Sequence, residues 1–185
     1  DQHVVMDEGW SILSDNIPGI DPALMSLLSE LKTRFGITLP IKKTGKSSTP
    51  NKTIVLKVQN GAVDIGATTD TNRIALKKQA YRLTLQQHKI SITANAPQGL
   101  FYGVQTLLQS MERLHGKTYF TTGEIVDWPD LDLRTIYWDD AHHLERLEAM
   151  KRAIRQASYY KVNGFALKLE GHFEFKSAKP IVEPF

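Results

Sequence analysis

The sequence predicts an α+β fold, a mixed sheet covered by helices, followed by the beginning of a parallel β/α unit. Three patterns carry that prediction. Two stretches, Leu24 to Phe35 and Leu100 to Leu114, space large apolar residues by three and four, which lays one apolar stripe along a helix. Tyr81 to Leu85 and Ile90 to Ala94 alternate apolar and polar residues on either side of a short break, the pattern of an antiparallel hairpin. Beyond Asp127-Trp128-Pro129-Asp130 the order becomes strand, helix, strand, which requires a parallel pair. Two regions follow, 1–127 and 128–185.

Composition agrees with a folded, water-exposed protein. Hydrophobic residues make up 41% and charged ones 23% of 185 residues, near the averages for globular chains. No apolar run is long enough to span a bilayer. The net charge of +3 is spread over separate lysine pairs rather than gathered in a basic patch interleaved with aromatics, which argues against a nucleic-acid partner. Without cysteine there is no disulfide framework and no thiolate metal site. The sequence opens on Asp1 rather than on a methionine or a signal peptide, and both ends read as cut from something longer.

In chain order, Val4 to Leu13 reads as one strand and Asn16-Ile17-Pro18-Gly19 as a turn. Asp21 can cap a helix whose first position suits Pro22, with Leu24, Leu27, Leu28, Leu31 and Phe35 buried and Gly36 at its end. Ile37 to Ile41 fits a short strand, and 44–52 a polar loop. Gly45-Lys46-Ser47 lacks the upstream glycine that a phosphate loop needs. Thr53 to Val58 alternates as a strand that Asn60-Gly61 breaks. After the hairpin, Pro97 opens a helix expected to carry Phe101, Val104, Leu107, Leu108, Met111 and Leu114 inward, Tyr102 and Gln105 outward, and to stop at Gly116. Tyr119 to Val126 is a further strand. In the second region Leu133 to Trp138 and Phe165 to Glu170 are strands, joined by a helix over Leu144 to Tyr160 with Leu147, Met150, Ile154 and Ala157 inward.

Tyr81-Arg82-Leu83, the hairpin, and above all Gly99-Leu100-Phe101-Tyr102-Gly103-Val104-Gln105-Thr106-Leu107-Leu108-Gln109 resemble the N-terminal domain of glycoside hydrolase family 20, the β-N-acetylhexosaminidases. Asp127-Trp128-Pro129, Arg134-Thr135, Asp139, His142-His143 and Tyr160-Lys161-Val162-Asn163 resemble the linker and first barrel segment of that family in order and spacing. The resemblance implies a non-catalytic, zincin-like α+β domain beside a TIM barrel. Without a His-Glu-x-x-His the zincin shape implies no zinc. Thr135 stands in place of the family's glycine, His142 in place of its arginine, and Lys168-Leu169-Glu170-Gly171 in place of its His-Leu-x-Asp.

The family's general acid and its carboxylate partner would lie on a fourth barrel strand, after Phe185, so none of these residues is assigned catalysis. Asp139-Asp140 cannot substitute, because neighbours on a strand point to opposite faces. Arg134 resembles an arginine that grips sugar hydroxyls, and by strand parity it shares a face with Ile136, Trp138 and Asp140. Trp138 on that face either stacks on a sugar or fills the core. Phe165, Leu167 and Leu169 would meet helices, leaving Lys168 and Glu170 at the barrel mouth as a substrate contact or a structural pair. His143 and Asp139 complete the expected substrate-side set. His142-His143 lacks further ligands, so neither a metal nor a cofactor is assigned. The expected substrate is an N-acetylhexosamine glycan in the periplasm or outside the cell, both implied by the resemblance. The rival is a scaffold or carbohydrate-binding module whose barrel does other chemistry or none. The second region, with open apolar edges, would fold back on the first or join two copies as a homo-oligomer.

Overall fold

The computed structural model describes residues 3–13, 17–42, 52–141 and 145–169. They form two compact units, Asp1–Asp132 and Leu133–Phe185.

The first unit is α+β, as the patterning predicts. In order it contains β1 (His3–Met6), β2 (Ser11–Leu13), α1 (Pro22–Glu30, continued by a π turn over Leu31–Phe35), β3 (Ile41–Lys42), β4 (Thr53–Val58), α2 (Arg73–Gln79), β5 (Tyr81–Leu85), β6 (Lys89–Ala94), α3 (Pro97–Gln109), β7 (Met111–Leu114), β8 (Lys117–Thr121) and β9 (Gly123–Asp127). A six-stranded sheet runs β3-β2-β4-β6-β5-β9, and a three-stranded sheet runs β1-β8-β7. In the larger sheet β3, β2, β4 and β6 are parallel, while β5 is antiparallel to β6 and β9.

α3 lies on this sheet. Leu100, Val104, Leu107 and Leu108 are fully buried, and the bare faces of Gly99 and Gly103 let the helix approach. A Cβ on Gly99 would stand 2.5 Å from the Ala80 carbonyl oxygen, and one on Gly103 2.5 Å from Ile92 Cγ2. Tyr102 and Gln105, expected to face outward, are buried as well. For Gln105 the reason is α1, which packs along α3 and places Ser26 Oγ 3.0 Å from Gln105 Nε2, which donates to it; the Tyr102 hydroxyl accepts from Gln98 Nε2 at 2.9 Å within α3. Asp21 caps α1 by accepting from the Ala23 amide at 2.8 Å, and Gly36 ends its π turn at φ 73°.

Several expected strands and helices break where the chain changes sheet. Val4 to Leu13 is two strands: β1 joins the small sheet and β2 the large one. Between them Trp10 is fully buried, donating Nε1–H to the Val5 carbonyl at 3.1 Å and meeting Phe120 edge-on. Tyr119 to Val126 divides the same way into β8 and β9. α3 stops at Gln109 rather than Gly116. Met111 and Leu114 sit on β7, and His115 and Gly116, at φ 49° and 78°, form the two-residue turn to β8. Only Met111 of that pair is buried, so its helical spacing with Leu107 is incidental. From Ile37 to Ile41 only Ile41 pairs with a neighbour, although Ile37 and Leu39 are buried. α2 had no periodic signal, because Leu76 is its one buried apolar residue and Ile74 is 76% exposed. The 44–52 loop lies outside the described residues except for Lys52.

The second unit is a strand-helix-strand: β10 (Thr135–Asp139), α4 (Leu147–Tyr159) and β11 (Gly164–Lys168), with β10 and β11 parallel. Leu147 and Ile154, expected inward, are exposed, and Ala157 is the buried residue of α4.

Candidate functional site at the carboxyl ends of the parallel strands

In a parallel sheet the backbone hydrogen bonds close along the strands and leave free space beyond their carboxyl ends, where substrate groups of barrel enzymes gather. β10 and β11 end there on Asp139 and Lys168, which are register partners and so share a face. Lys168 Nζ donates to Asp139 Oδ2 at 3.2 Å, with both side chains more than a third exposed. The next residue, Asp140, is buried. Its amide extends the ladder to the Lys168 carbonyl at 3.0 Å, and its Oδ1 accepts from the Glu145 amide at 2.8 Å.

The register also sorts the remaining residues. Ile136 faces Phe165 and Trp138 faces Leu167 across the pair, and Trp138 stacks on Phe165 with ring centroids 6.0 Å apart. Trp138 therefore belongs to the apolar face of β11. It does not share a face with Lys168, so the two expectations, Trp138 with the sugar and Phe165 and Leu167 against helices, exclude one another on these strands. Arg134 precedes β10 at the amino end. Strand rise places it roughly 16 Å from Asp139. Its guanidinium donates from Nε and Nη2 to the Lys161 carbonyl, at 3.0 and 2.8 Å, and its amide donates to Asn163 Oδ1 at 2.8 Å. Lys161 is itself left-handed, at φ 60°. These bonds hold the turn between α4 and β11. The structure brings Asp139 and Lys168 together, sets Trp138 on the other face, and separates Arg134 from all three. His143 and Glu170, like His142, lie outside the described residues.

The chain has one adjacent Asp-Glu step, Asp7-Glu8, and it lies in the turn between β1 and β2. There Asp7 accepts from the Gly9 amide at 3.0 Å and pairs with Lys52 at 3.0 Å, which gives it a turn-forming role. Among the described residues no group of three or more His, Asp or Glu could hold a metal, and no helix is long and apolar enough to cross a membrane.

A second cluster escaped the sequence. Tyr81 OH donates to Asp127 Oδ2 at 2.6 Å and lies 2.5 Å from Thr106 Oγ1, joining β5, β9 and α3. Burial first, then the Asp127 carboxylate, raise the phenol far above its ordinary range and keep it neutral. Alternation places Tyr81 on a strand, but only the register Tyr81↔Asp127 reveals its partner.

Residues 2–128 match the family described as glycosyl hydrolase family 20, domain 2. The chain belongs to glycosyl hydrolase family 20. Its family 20 domain covers the first unit as far as Trp128, and so contains none of the residues at the ends of β10 and β11. Over 112 residues the chain is 29% identical to a β-hexosaminidase of Akkermansia muciniphila, spanning 60% of this chain and 23% of that protein. Its fold is similar to that of an exo-β-N-acetylglucosaminidase of Vibrio harveyi, at 25% identity and TM-score 0.71 over 90% of this chain and 23% of the other. A family 20 β-N-acetylhexosaminidase of Streptomyces coelicolor superposes at 25% identity and TM-score 0.70, over 89% and 31%. The chain thus spans about a quarter to a third of the length of these relatives.

Proposed function

We propose that this chain is the N-terminal, non-catalytic part of a family 20 glycoside hydrolase that removes N-acetylhexosamine residues from glycans outside the cytoplasm. The family 20 domain over residues 2–128 carries the reading. The parallel β10–α4–β11 unit that follows it supports a barrel in the next part of the protein, since such a pair needs further strands to bury its faces. Asp139 and Lys168 then stand on the substrate side, holding sugar hydroxyls by hydrogen bonds, with His143 and Glu170 beside them in sequence. Trp138 is assigned to the apolar packing of the barrel wall and Arg134 to the α4–β11 turn. Assaying the complete protein on chromogenic N-acetylglucosaminide and N-acetylgalactosaminide tests the reading. Hydrolysis that falls on Asp139→Ala supports it, and absence of hydrolysis removes it.

The Asp139–Lys168 ion pair favours a second reading. A mouth closed by an internal salt bridge offers less to a neutral sugar than unpaired donors do, as expected for a carbohydrate-binding or scaffold protein with a divergent barrel. Glycan binding without turnover by the complete protein would select it.

A further inference from the structure

The segment that leaves the first unit, 127–132, is held by more than its two ends. The Asp70 amide donates to the Asp130 carbonyl at 3.1 Å and the Thr69 amide to Asp130 Oδ1 at 3.3 Å. In return Asp70 Oδ2 accepts from the Asp132 amide at 2.9 Å, while its Oδ1 accepts from the Asn72 amide at 2.9 Å. Asp132 is bound from α2: its Oδ1 accepts from Gln79 Nε2 at 2.7 Å and its Oδ2 from Asn72 Nδ2 at 3.1 Å. Gln79 is 1% exposed, so this donor comes from the core. Trp128 closes the other end. Its ring lies over Gly66, where a Cβ would stand 2.8 Å from Cζ2, and over the buried cluster of Val63, Ile65, Leu76 and Ala80.

We infer that Asp70, Asp132 and Trp128, seated on Gly66, form a clasp that fixes the segment 127–132 to the first unit as a rigid strap, so that chain freedom between the units begins at Leu133. The amides of Thr69, Asp70, Asn72 and Asp132 and the carboxylates of Asp70, Asp130 and Asp132 all find partners within unit one. This makes a loop-like Trp-Pro sequence part of the domain rather than a flexible tether. It also gives the otherwise aperiodic 66–79 stretch a purpose, since α2 and the loop before it present Asp70, Asn72 and Gln79 on one side. The inference stands on the first unit alone and does not depend on the glycosidase reading.

Hydrogen–deuterium exchange of the 185-residue chain, resolved by peptide, tests it. The 128–133 peptide should exchange slowly in the native chain and at least about tenfold faster in Asp70→Ala and Asp132→Ala, while the α3 peptide 97–109 is unchanged. Asp70→Asn keeps one carbonyl acceptor and should fall between Asp70→Ala and the native chain. Gly66→Ala displaces the Trp128 ring without touching either carboxylate and should free the same peptide. Glu124→Gln, which weakens only exposed contacts to Arg82 and Thr84, should leave it protected. Rapid exchange of 128–133 in the native chain, or no acceleration in Asp70→Ala, Asp132→Ala and Gly66→Ala, would overturn the inference. So would acceleration that α3 shares equally, because the effect would then be general unfolding.

Discussion

Tyr81 and Asp127 are register partners on β5 and β9, and the hydroxyl of one donates to the carboxylate of the other at 2.6 Å. The bond fastens the final strand of the family 20 domain just before the chain enters the strap. Tyr81→Phe removes the donor and leaves Asp127 and Thr106 each short of a partner. The expected loss is about 1–3 kcal/mol, read from urea denaturation. The pH dependence has a definite sign. Folding raises the phenol above its ordinary value of 10.0, so its contribution is complete below pH 10 and is lost as pH rises from there toward the higher folded value. Native stability should therefore fall above pH 10 more steeply than that of Tyr81→Phe.

Leu107→Asp should unfold the first unit. Leu107 is fully buried beneath α3, and an unpaired charge there costs several kcal/mol against a typical total of about 5–15. Gly99→Ala is a finer probe of the same layer. The obstacle to its methyl is the backbone oxygen of Ala80, which cannot rotate away, so a loss of about 1–3 kcal/mol is expected. A cooperative Leu107→Asp protein by circular dichroism, or a Gly99→Ala protein of native stability, would contradict this packing.

These two positions also mark how far the sequence could be read. The stripe Leu100, Val104, Leu107, Leu108 and the alternation in 81–94 revealed α3, the hairpin and their contact, because burial on one face leaves a period in the chain. Burial on several faces leaves none, so nothing in the spacing marks Tyr102 and Gln105 as the buried residues they are. Breaks between sheets were equally hidden, since Val4 to Leu13 stays apolar across the Asp7 turn. At the candidate site alternation sorts the residues along β10, but only the register to β11 decides which faces coincide. That register set Trp138 with Leu167 and Asp139 with Lys168. The strap was invisible because its partners are about 60 residues apart and interact through backbone amides.

Asp70 provides a second pH test. The Asn72 amide first, then the Asp132 amide, hold its carboxyl below its ordinary 3.8. A lowered folded value means that the stabilisation is complete above the unfolded value and is lost as pH falls through the folded one. The charged groups bonded with its loop are Asp130 and Asp132, while the Arg73 guanidinium is turned to the carbonyls of Ile65 and Gly66. The strap should thus stay closed at neutral and mildly acidic pH, and the exchange difference between native and Asp70→Ala chains should narrow only below about pH 4.

The second unit should drive association. Leu133, Tyr137 and Leu147 are each more than 60% exposed, and among the described residues the parallel pair has no further strand on either edge. Light scattering should show the apparent mass of the 185-residue chain rising with concentration, while a version ending at Asp132 remains monomeric. Equal behaviour of the two would exclude the second unit as the contact.

The 185-residue chain is expected to hydrolyse no glycoside by itself, even where the complete protein is an active hexosaminidase. Family 20 chemistry implies an acid and a carboxylate flanking one glycosidic bond. On the described strands the carboxyl ends offer Asp139, already paired with Lys168, and Asp140, whose Oδ1 holds the Glu145 amide. Neighbouring residues on one strand point to opposite faces, so the two aspartates cannot bracket a bond. Loss of a general acid alone commonly costs about 10²–10⁴ in rate, and here the opposing carboxylate would be missing as well. Incubating the purified chain with chromogenic N-acetylglucosaminide and N-acetylgalactosaminide should give no turnover above a blank. Turnover that disappears in Asp139→Asn or Glu170→Gln would place a working site within these residues and move the chemistry from the rest of the barrel into this chain.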